Sequence, residues 1–177
     1  VREALRLTGI ESGVEITTIA DIPGQGTGLG SSSSVTVGLL NAMHAFQGRE
    51  ASKEQLAEEA CMIEIETLGA PIGRQDQYAA SFGGVNSIRF GKNGVQVEPN
   101  EVSEGMSKKF SENFTLVFTG MTRSASKVLS KQSDDESDKN NRMREIRKHA
   151  DEAASFIQQG DLDSLGAILN PVSYTHL

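Results

Sequence analysis

A loop rich in glycine and serine, Asp21 to Ser34, leads straight into a segment with helical apolar spacing. Its four glycines leave backbone N–H groups open to an anion. A helix that begins here adds unpaired N–H groups and the positive end of its dipole. The sequence therefore predicts a phosphate-binding cradle, in which four serine hydroxyls add donors and one is a candidate metal ligand. The apolar residues of the helix are Val35, Leu39, Leu40, Met43 and Phe46.

The loop departs from the two commonest nucleotide-binding motifs. A Walker A motif requires a lysine before its last serine or threonine, and the loop has no lysine. The dinucleotide-binding fingerprint requires a third glycine, which the near matches that start at Gly24 and Gly26 lack. A flexible Gly/Ser linker is the alternative, but linkers are not normally followed at once by an amphipathic helix. The pattern therefore favours a phosphate site.

The composition argues against several functional classes. The 17 Lys and Arg residues are outnumbered by 24 Asp and Glu residues, the net charge is −7, and there is no basic run. We therefore do not expect nucleic acid as a partner. Because no run of about 18 apolar residues and no signal peptide occur, we expect no membrane partner and a cytoplasmic location. The single cysteine, Cys61, cannot form an internal disulfide and has the pattern of a buried thiol.

Hydrophobic periodicity predicts an alternation of strands and helices in the first half of the chain. Gly48 is expected to cap the helix after the loop, and Ser52 with Gln55 to form a capping box for the next one. The predicted elements are a strand at Gly13–Ile19, helices at Ser31–Phe46, Lys53–Leu68 and Gln77–Ala80, and a hairpin of Val85–Phe90 with Val95–Val97.

The second half of the chain begins with a candidate domain boundary. Residues 98–112 are polar and form this candidate boundary. Asp161 is expected to cap the last helix, and Pro171 to break it. Before that helix we predict a strand at Phe114–Phe118, a helix at Ser124–Gln132, a polar loop at Ser133–Asn141 and a helix at Met143–Gln159 that ends at Gly160.

A second segment with candidate catalytic side chains runs from Glu64 to Gln77. Phosphoryl transfer to a hydroxyl needs the phosphates held, a divalent cation, and a carboxylate near the attacking oxygen. Glu64 on a helix and Asp76 after a glycine-flanked turn are the two carboxylates available. Each also has an ordinary interpretation, Glu64 as a solvated helix residue and Asp76 as a turn residue. His44, within a largely apolar stretch, is interpreted as a packed or partly exposed imidazole and not as a catalytic one.

The loop resembles the second signature of the GHMP small-molecule kinases, Pro-x-x-x-Gly-Leu-Gly-Ser-Ser, although one more residue separates Pro23 from Gly28. The segment ending at Asp76 is similar to the Gly-x-x-x-Gly-x-x-Asp-Gln stretch of galactokinase-like members. The resemblance implies ATP and Mg²⁺ as cofactors, Asp76 as base, and Ser32 (or Ser31) with Glu64 as metal ligands. The nucleotide-binding residues that it implies are Gly26, Thr27, Gly28, Leu29, Gly30, Ser31, Ser32 and Ser33.

Two stretches, Gly73–Gly84 and Phe118–Ser126, are similar to GHMP kinases that act on D-glycero-D-manno-heptose 7-phosphate. This implies transfer of the ATP γ-phosphate to the anomeric hydroxyl, which gives the 1,7-bisphosphate. Arg74 and Arg123 become candidates for binding the sugar phosphate, since guanidinium groups match phosphate geometry. The alternative for both is a surface salt bridge. A kinase of a free sugar, such as fucose or galactose, and a non-catalytic nucleotide or sugar sensor remain open.

The resemblance also implies an α+β, two-layer GHMP-kinase fold. Residues 1–100 would form the N-terminal, nucleotide-binding domain (ribosomal S5 domain 2-like), here without its first strands. Residues 113–170 would begin a ferredoxin-like C-terminal domain, and 171–177 a non-native tail. Because the first and third family signatures are absent, we expect an internal fragment with little turnover of its own. The expected partner is a small-molecule sugar or sugar phosphate, and no oligomeric state is indicated.

Overall fold

The computed structural model describes residues 1–21, 28–117 and 136–175. The candidate residues Gly26, Thr27 and Arg123 and the predicted helix Ser124–Gln132 lie outside these ranges. The described residues form two compact units, one of Val1–Gly83 and one of Gly84–Val117 with the residues from Glu136 onward. The domain bounds expected near residues 100 and 113 stay a prediction.

The first unit is helical in its described residues. Each helix turns an apolar stripe inward, and Leu40 of the predicted Ser31–Phe46 helix is fully buried at the centre. The helices are α1 (Arg2–Thr8), α2 (Ser31–Phe46), α3 (Lys53–Cys61), which continues as a π-helical turn at Met62–Thr67, and α4 (Gln75–Phe82). Their shared core consists of Ala4, Ile10, Val37, Leu40, Met43, Leu56, Ala60 and Ile63. The prediction for α2 is confirmed, whereas α1 was not predicted.

The helix ends follow the chemistry of their cap residues. Gly30 precedes α2 with a φ of 65°, a left-handed conformation that favours glycine. Gly48, just after α2, has a φ of 69°, which agrees with the predicted cap. Ser52 Oγ accepts a hydrogen bond from the Gln55 N–H at 3.1 Å, so the predicted N-cap of α3 forms. The Gln55 side chain donates to Glu59 and leaves the capping box half formed.

The predicted strand Gly13–Ile19 is wrong. Residues 14–20 form neither strand nor helix. Apolar alternation produces a strand only where a neighbouring strand completes the backbone hydrogen bonds. Within the described ranges, strand pairing occurs only between two other segments. Ile19 is consequently 92% exposed.

The second unit opens with the predicted hairpin. Strands β1 (Asn86–Gly91) and β2 (Gly94–Pro99) pair antiparallel, with Phe90 opposite Val95. Helices α5 (Glu104–Asn113), α6 (Glu136–Gln159) and α7 (Leu162–Thr175) follow in the described part of the chain. The caps predicted for α6 and α7 are confirmed. Gly160 has a φ of 74°, and Asp161 accepts a hydrogen bond from the Ser164 N–H at 3.0 Å.

The polar stretch 98–112, the candidate domain boundary, contains α5. Ser103 caps this helix by accepting a hydrogen bond from the Met106 N–H at 3.2 Å, and Met106 is buried. A cap and one buried anchor therefore outweigh the polar composition. Residues 114–117, expected in a strand, form none.

Two predictions about the later helices are also wrong. α6 begins at Glu136, inside the stretch Ser133–Asn141 that we predicted as a loop. Its charged residues include good helix formers, and high polarity alone does not prevent a helix. α7 continues through Pro171 to Thr175. A proline removes one intrahelical hydrogen bond, and the turns on either side of it retain their own.

Candidate active site

Glu64 places a buried carboxylate in the first unit. Glu64 lies in the π-helical turn Met62–Thr67, where the Leu68 N–H donates to the Ile63 carbonyl at 2.9 Å. Such turns widen a helix locally and recur at functional sites. Only 3% of Glu64 is exposed, so the sequence interpretation of a solvated helix residue is wrong. The turn brings the carboxylate inward, toward α2 and α4.

Four side chains donate hydrogen bonds to this carboxylate. Ser32 Oγ donates to Oε1 at 2.5 Å, and Thr36 Oγ1 donates to the same oxygen at 3.3 Å. Ser33 Oγ donates to Oε2 at 2.7 Å, and Gln77 Nε2 donates to Oε2 at 2.6 Å. All four donors are neutral. Within the described residues, no Lys, Arg or His forms an ion pair with Glu64.

This donor set suits a hard cation. Magnesium prefers oxygen ligands and is typically held by one or two carboxylates together with phosphate oxygens and water. Glu64 Oε1 and the Ser32 hydroxyl are oxygen ligands already in contact. In the described part of the chain, no group of three or more His, Cys, Asp or Glu side chains could hold a metal by itself. Ser32 and Glu64 would therefore hold part of a coordination shell that a phosphate ligand completes.

Asp76 lies against the beginning of α2. A Cβ atom placed on Gly30 would come within 3.2 Å of Asp76 Cγ and 3.3 Å of Oδ2. Gly30 is the residue before α2, and its carbonyl accepts the Ser34 N–H at 2.9 Å. Asp76 itself is exposed. The loop at the start of α2 and the first turn of α4 thus bring a solvent-facing carboxylate to a helix N-terminus.

The hydroxyls at the start of α2 have different surroundings. Ser33 is 2% exposed and its hydroxyl is directed to Glu64. Ser32 is exposed although its hydroxyl also contacts Glu64. Ser32 is therefore the hydroxyl that both meets the carboxylate and faces solvent. Gly28 adopts a φ of 75°, which suits a loop whose backbone approaches a ligand closely.

Arg74 belongs to a polar cluster on α3 and α4. Its Nη2 pairs with Glu58, and its guanidinium lies 5.7 Å from the Tyr78 ring centroid. The Tyr78 hydroxyl also donates to Glu58. Burial and then this hydrogen bond raise the pKa of Tyr78, while the hydrogen bond with Cys61 is the largest cause that raises the pKa of Arg74. Arg74 thus forms a salt bridge, which was the alternative interpretation of this residue. A role of Arg74 in binding a sugar phosphate stays a prediction.

Two further residues match their sequence interpretation. His44 is 4% exposed and its Nε2 lies 2.7 Å from Glu59 Oε2, so the predicted packed imidazole is confirmed. Cys61 is a free, buried thiol, as predicted. Burial raises its pKa, although the hydrogen bond from Arg74 opposes that effect. Neither residue contacts Asp76 or Glu64 through a described hydrogen bond.

A cavity of about 820 Å³ lies beside α2. Residues 14–21 form one wall, and the exposed face of α2 forms another. The sequence did not predict this cavity, because the apolar alternation of residues 13–19 indicated a strand. The lining also includes Leu29, Ser31, Ser34, Val35, Gly38, Leu39, Ala42, Met43 and Phe46. The cavity is thus mainly apolar and adjoins the serines that open α2.

Residues 1–84 match the family model of the GHMP kinases N terminal domain. These residues are a GHMP kinase N-terminal domain. The GHMP kinase domain therefore contains the Gly30–Asp76 contact and the hydrogen-bonded Glu64.

Curated relatives of the chain are sugar kinases by name. The chain is 37% identical over 112 residues to a "D-glycero-alpha-D-manno-heptose 7-phosphate kinase" of Campylobacter jejuni. It is 29% identical over 141 residues to a bifunctional fucokinase/GDP-fucose pyrophosphorylase of Arabidopsis thaliana. It is 26% identical over 174 residues to an L-fucokinase/L-fucose-1-P guanylyltransferase of Bacteroides fragilis. These matches cover 63%, 74% and 93% of the chain, and 33%, 13% and 18% of the respective relatives.

A solved structure confirms the fold class. The crystal structure of a D-glycero-D-manno-heptose 1-phosphate kinase from Bacteroides thetaiotaomicron matches with a TM-score of 0.73 and 26% identity. The match covers 93% of this chain and 49% of that one. The predicted α+β GHMP-kinase fold is therefore shown, while the ferredoxin-like character of the second unit stays a prediction. Of the helices in the described ranges, none combines the length and apolarity needed to cross a membrane.

Proposed function

We propose that the chain carries the nucleotide site of a GHMP sugar kinase that phosphorylates a heptose 7-phosphate at its anomeric hydroxyl. The observation that carries this proposal is the position of Asp76 against Gly30, at the start of a helix that also contacts Glu64. A helix N-terminus with a glycine-rich approach suits a triphosphate. An exposed carboxylate beside it suits the hydroxyl that attacks the γ-phosphorus.

Asp76 acts as the base in this proposal. It accepts the proton of the anomeric hydroxyl while the sugar oxygen attacks the γ-phosphorus, the bond between the γ-phosphorus and the β–γ bridging oxygen breaks, and ADP leaves. The backbone of Gly28, Leu29 and Gly30 and the start of α2 hold the phosphates. Gly26 and Thr27 extend this loop in the sequence, and Ser31 and Ser33 contribute from the first turn of the helix.

ATP and Mg²⁺ are the proposed cofactors. Ser32 and Glu64 would hold the cation, which when bound neutralises charge on the β- and γ-phosphates. The neutral hydrogen-bond donors around Glu64 support this role, because they orient its carboxylate without supplying a competing positive charge. Since the reaction consumes ATP, we place the protein in the cytoplasm.

The sugar phosphate is the proposed acceptor because the similarity to the Campylobacter heptose 7-phosphate kinase spans residues of the site. Arg74 and Arg123 are the proposed contacts for its phosphate. To bind there, Arg74 would exchange its exposed pair with Glu58 for the phosphate, and exposed ion pairs contribute little stability. The two fucokinase relatives support a second candidate, a kinase of a free sugar.

Replacing Asp76 by Asn in the full natural protein tests the function. We expect turnover to fall about 100- to 10,000-fold, because the base is lost while shape is kept. Binding of ATP should be retained. The measurement is ADP release with heptose 7-phosphate, fucose and galactose as separate acceptors.

Asp163→Asn, an exposed aspartate in the first turn of α7, is the matched control and should leave turnover unchanged. Turnover with fucose or galactose only would favour the free-sugar kinase. A wild-type protein that binds ATP and transfers phosphate to none of these acceptors would be the non-catalytic sensor.

A further inference from the structure

Gln77 connects the two carboxylates of the candidate site. It follows Asp76 directly in the first turn of α4, and it is 0% exposed. Its Nε2 donates to Glu64 Oε2 at 2.6 Å. The other three described donors to Glu64 all lie on α2. Gln77 is therefore the described side chain that ties Glu64 to the helix that carries Asp76.

The buried amide of Gln77 is unusual because its nitrogen donates a hydrogen bond while its oxygen has no partner among the described residues. This oxygen, Oε1, is itself buried. An unpaired buried oxygen costs stability, and an apolar side chain of similar volume would avoid that cost. Rotating the amide by 180° would bring Oε1 against the carboxylate of Glu64 and replace attraction by repulsion. The Nε2–Glu64 hydrogen bond thus fixes the amide in one orientation.

We propose that Gln77 is a positioning residue for the phosphoryl-transfer site, a role that rests on the proposed function. By holding Glu64 Oε2, it leaves Oε1 directed to Ser32, which is the pair proposed to receive the cation. The same hydrogen bond anchors the first turn of α4 to the π-helical turn. It therefore sets the position of Asp76 against Gly30 as well.

Replacing Gln77 by Met tests this role, because methionine keeps an unbranched side chain and removes the donor. We measure the affinity for ADP by calorimetry, with and without Mg²⁺, on the full natural protein. Removing residues that orient metal ligands typically costs 10- to 100-fold in metal affinity. We expect the Mg²⁺ concentration for half-maximal enhancement of ADP binding to rise about 10- to 100-fold, while Mg²⁺-free ADP affinity stays unchanged.

The matched control is Gln75→Met, the same change at an exposed position of α4, which should alter neither affinity. In a Glu64→Gln background the Mg²⁺ enhancement is already lost, so Gln77→Met should add nothing there. A role through Glu64 predicts this non-additivity, whereas a general packing role predicts additive losses. Circular dichroism establishes that each variant is folded.

If Gln77→Met does not fold, Gln77→Asn replaces it, since the shorter amide stays polar but does not reach Glu64. Three results would each overturn the role of Gln77. They are an equal loss of ADP affinity with and without Mg²⁺, no loss of affinity at all, and equal losses in both Glu64 backgrounds. A wild-type protein whose ADP binding ignores Mg²⁺ would instead overturn the proposed function. The two failures are therefore separate results.

Discussion

At the residue scale, the candidate site includes a close approach between Gly30 and Asp76. Gly30 has a φ of 65°, and a Cβ there would lie 3.2 Å from Asp76 Cγ. Both the backbone conformation and the close approach favour glycine. The sequence motif predicted the glycine and the aspartate, but only the fold shows that they touch.

Gly30→Ala should therefore displace Asp76. The alanine costs about 1–2 kcal/mol in backbone strain, and the exposed Asp76 side chain moves to accommodate the methyl group. Because small displacements of a reacting group cost about 100-fold in rate, we expect a loss of that order in turnover. The measurement pairs thermal unfolding with ADP release.

Gly48→Ala is the matched control for this prediction. It has a φ of 69° and nothing within 4 Å of its added Cβ, at the opposite end of the same helix. The Gly48→Ala variant should lose about as much stability as Gly30→Ala and keep the turnover of the wild-type protein. Equal activity of the two variants would show that the Gly30–Asp76 contact has no role.

At the scale of secondary-structure elements, the caps and turns of the helices determine where their side chains point. Ser52 begins α3, which enters the π-helical turn that brings Glu64 inward. The sequence predicted one continuous helix at Lys53–Leu68, because apolar spacing does not distinguish an α-turn from a π-turn. The inward direction of Glu64 follows from that wider turn, which explains why its burial was not predicted.

Ser52→Ala should lower the free energy of unfolding by about 1 kcal/mol, because the Gln55 N–H loses its acceptor. Urea denaturation followed by circular dichroism measures this change. Ser107→Ala, at an exposed position inside α5, is the control and should change stability little. An unchanged midpoint for Ser52→Ala would mean that the cap contributes nothing to folding.

At the scale of the whole molecule, the sequence predicts local structure but not the pairing of segments that lie far apart along the chain. The hairpin at Asn86–Pro99 was predicted because its turn and register are local. The predicted strand at Gly13–Ile19 failed because strand pairing depends on partners that alternation does not specify. The convergence of Glu64, Gln77 and the serines of α2 is likewise long-range. The motif indicated the candidate residues, and the packing shows how they meet.

Cys61, the single cysteine of the chain, reports on the integrity of the first unit. It is 4% exposed, and burial raises its pKa, so the folded protein has less reactive thiolate than the unfolded chain. We expect iodoacetamide at pH 8 to alkylate Cys61 slowly in buffer and rapidly in urea, as followed by mass spectrometry. A short peptide with one cysteine corrects for the effect of urea on the reagent. Equal rates in both conditions would contradict the buried thiol.

The buried carboxylate of Glu64 accepts side-chain hydrogen bonds from neutral donors in the described part of the chain. If it holds Mg²⁺ as proposed, occupancy and folding are thermodynamically linked, since a ligand that prefers the folded state stabilises it. The same anion that recruits the cation then makes the domain most robust when magnesium nucleotide is plentiful. Scarcity of that ligand would leave the domain easier to unfold and more open to proteolysis.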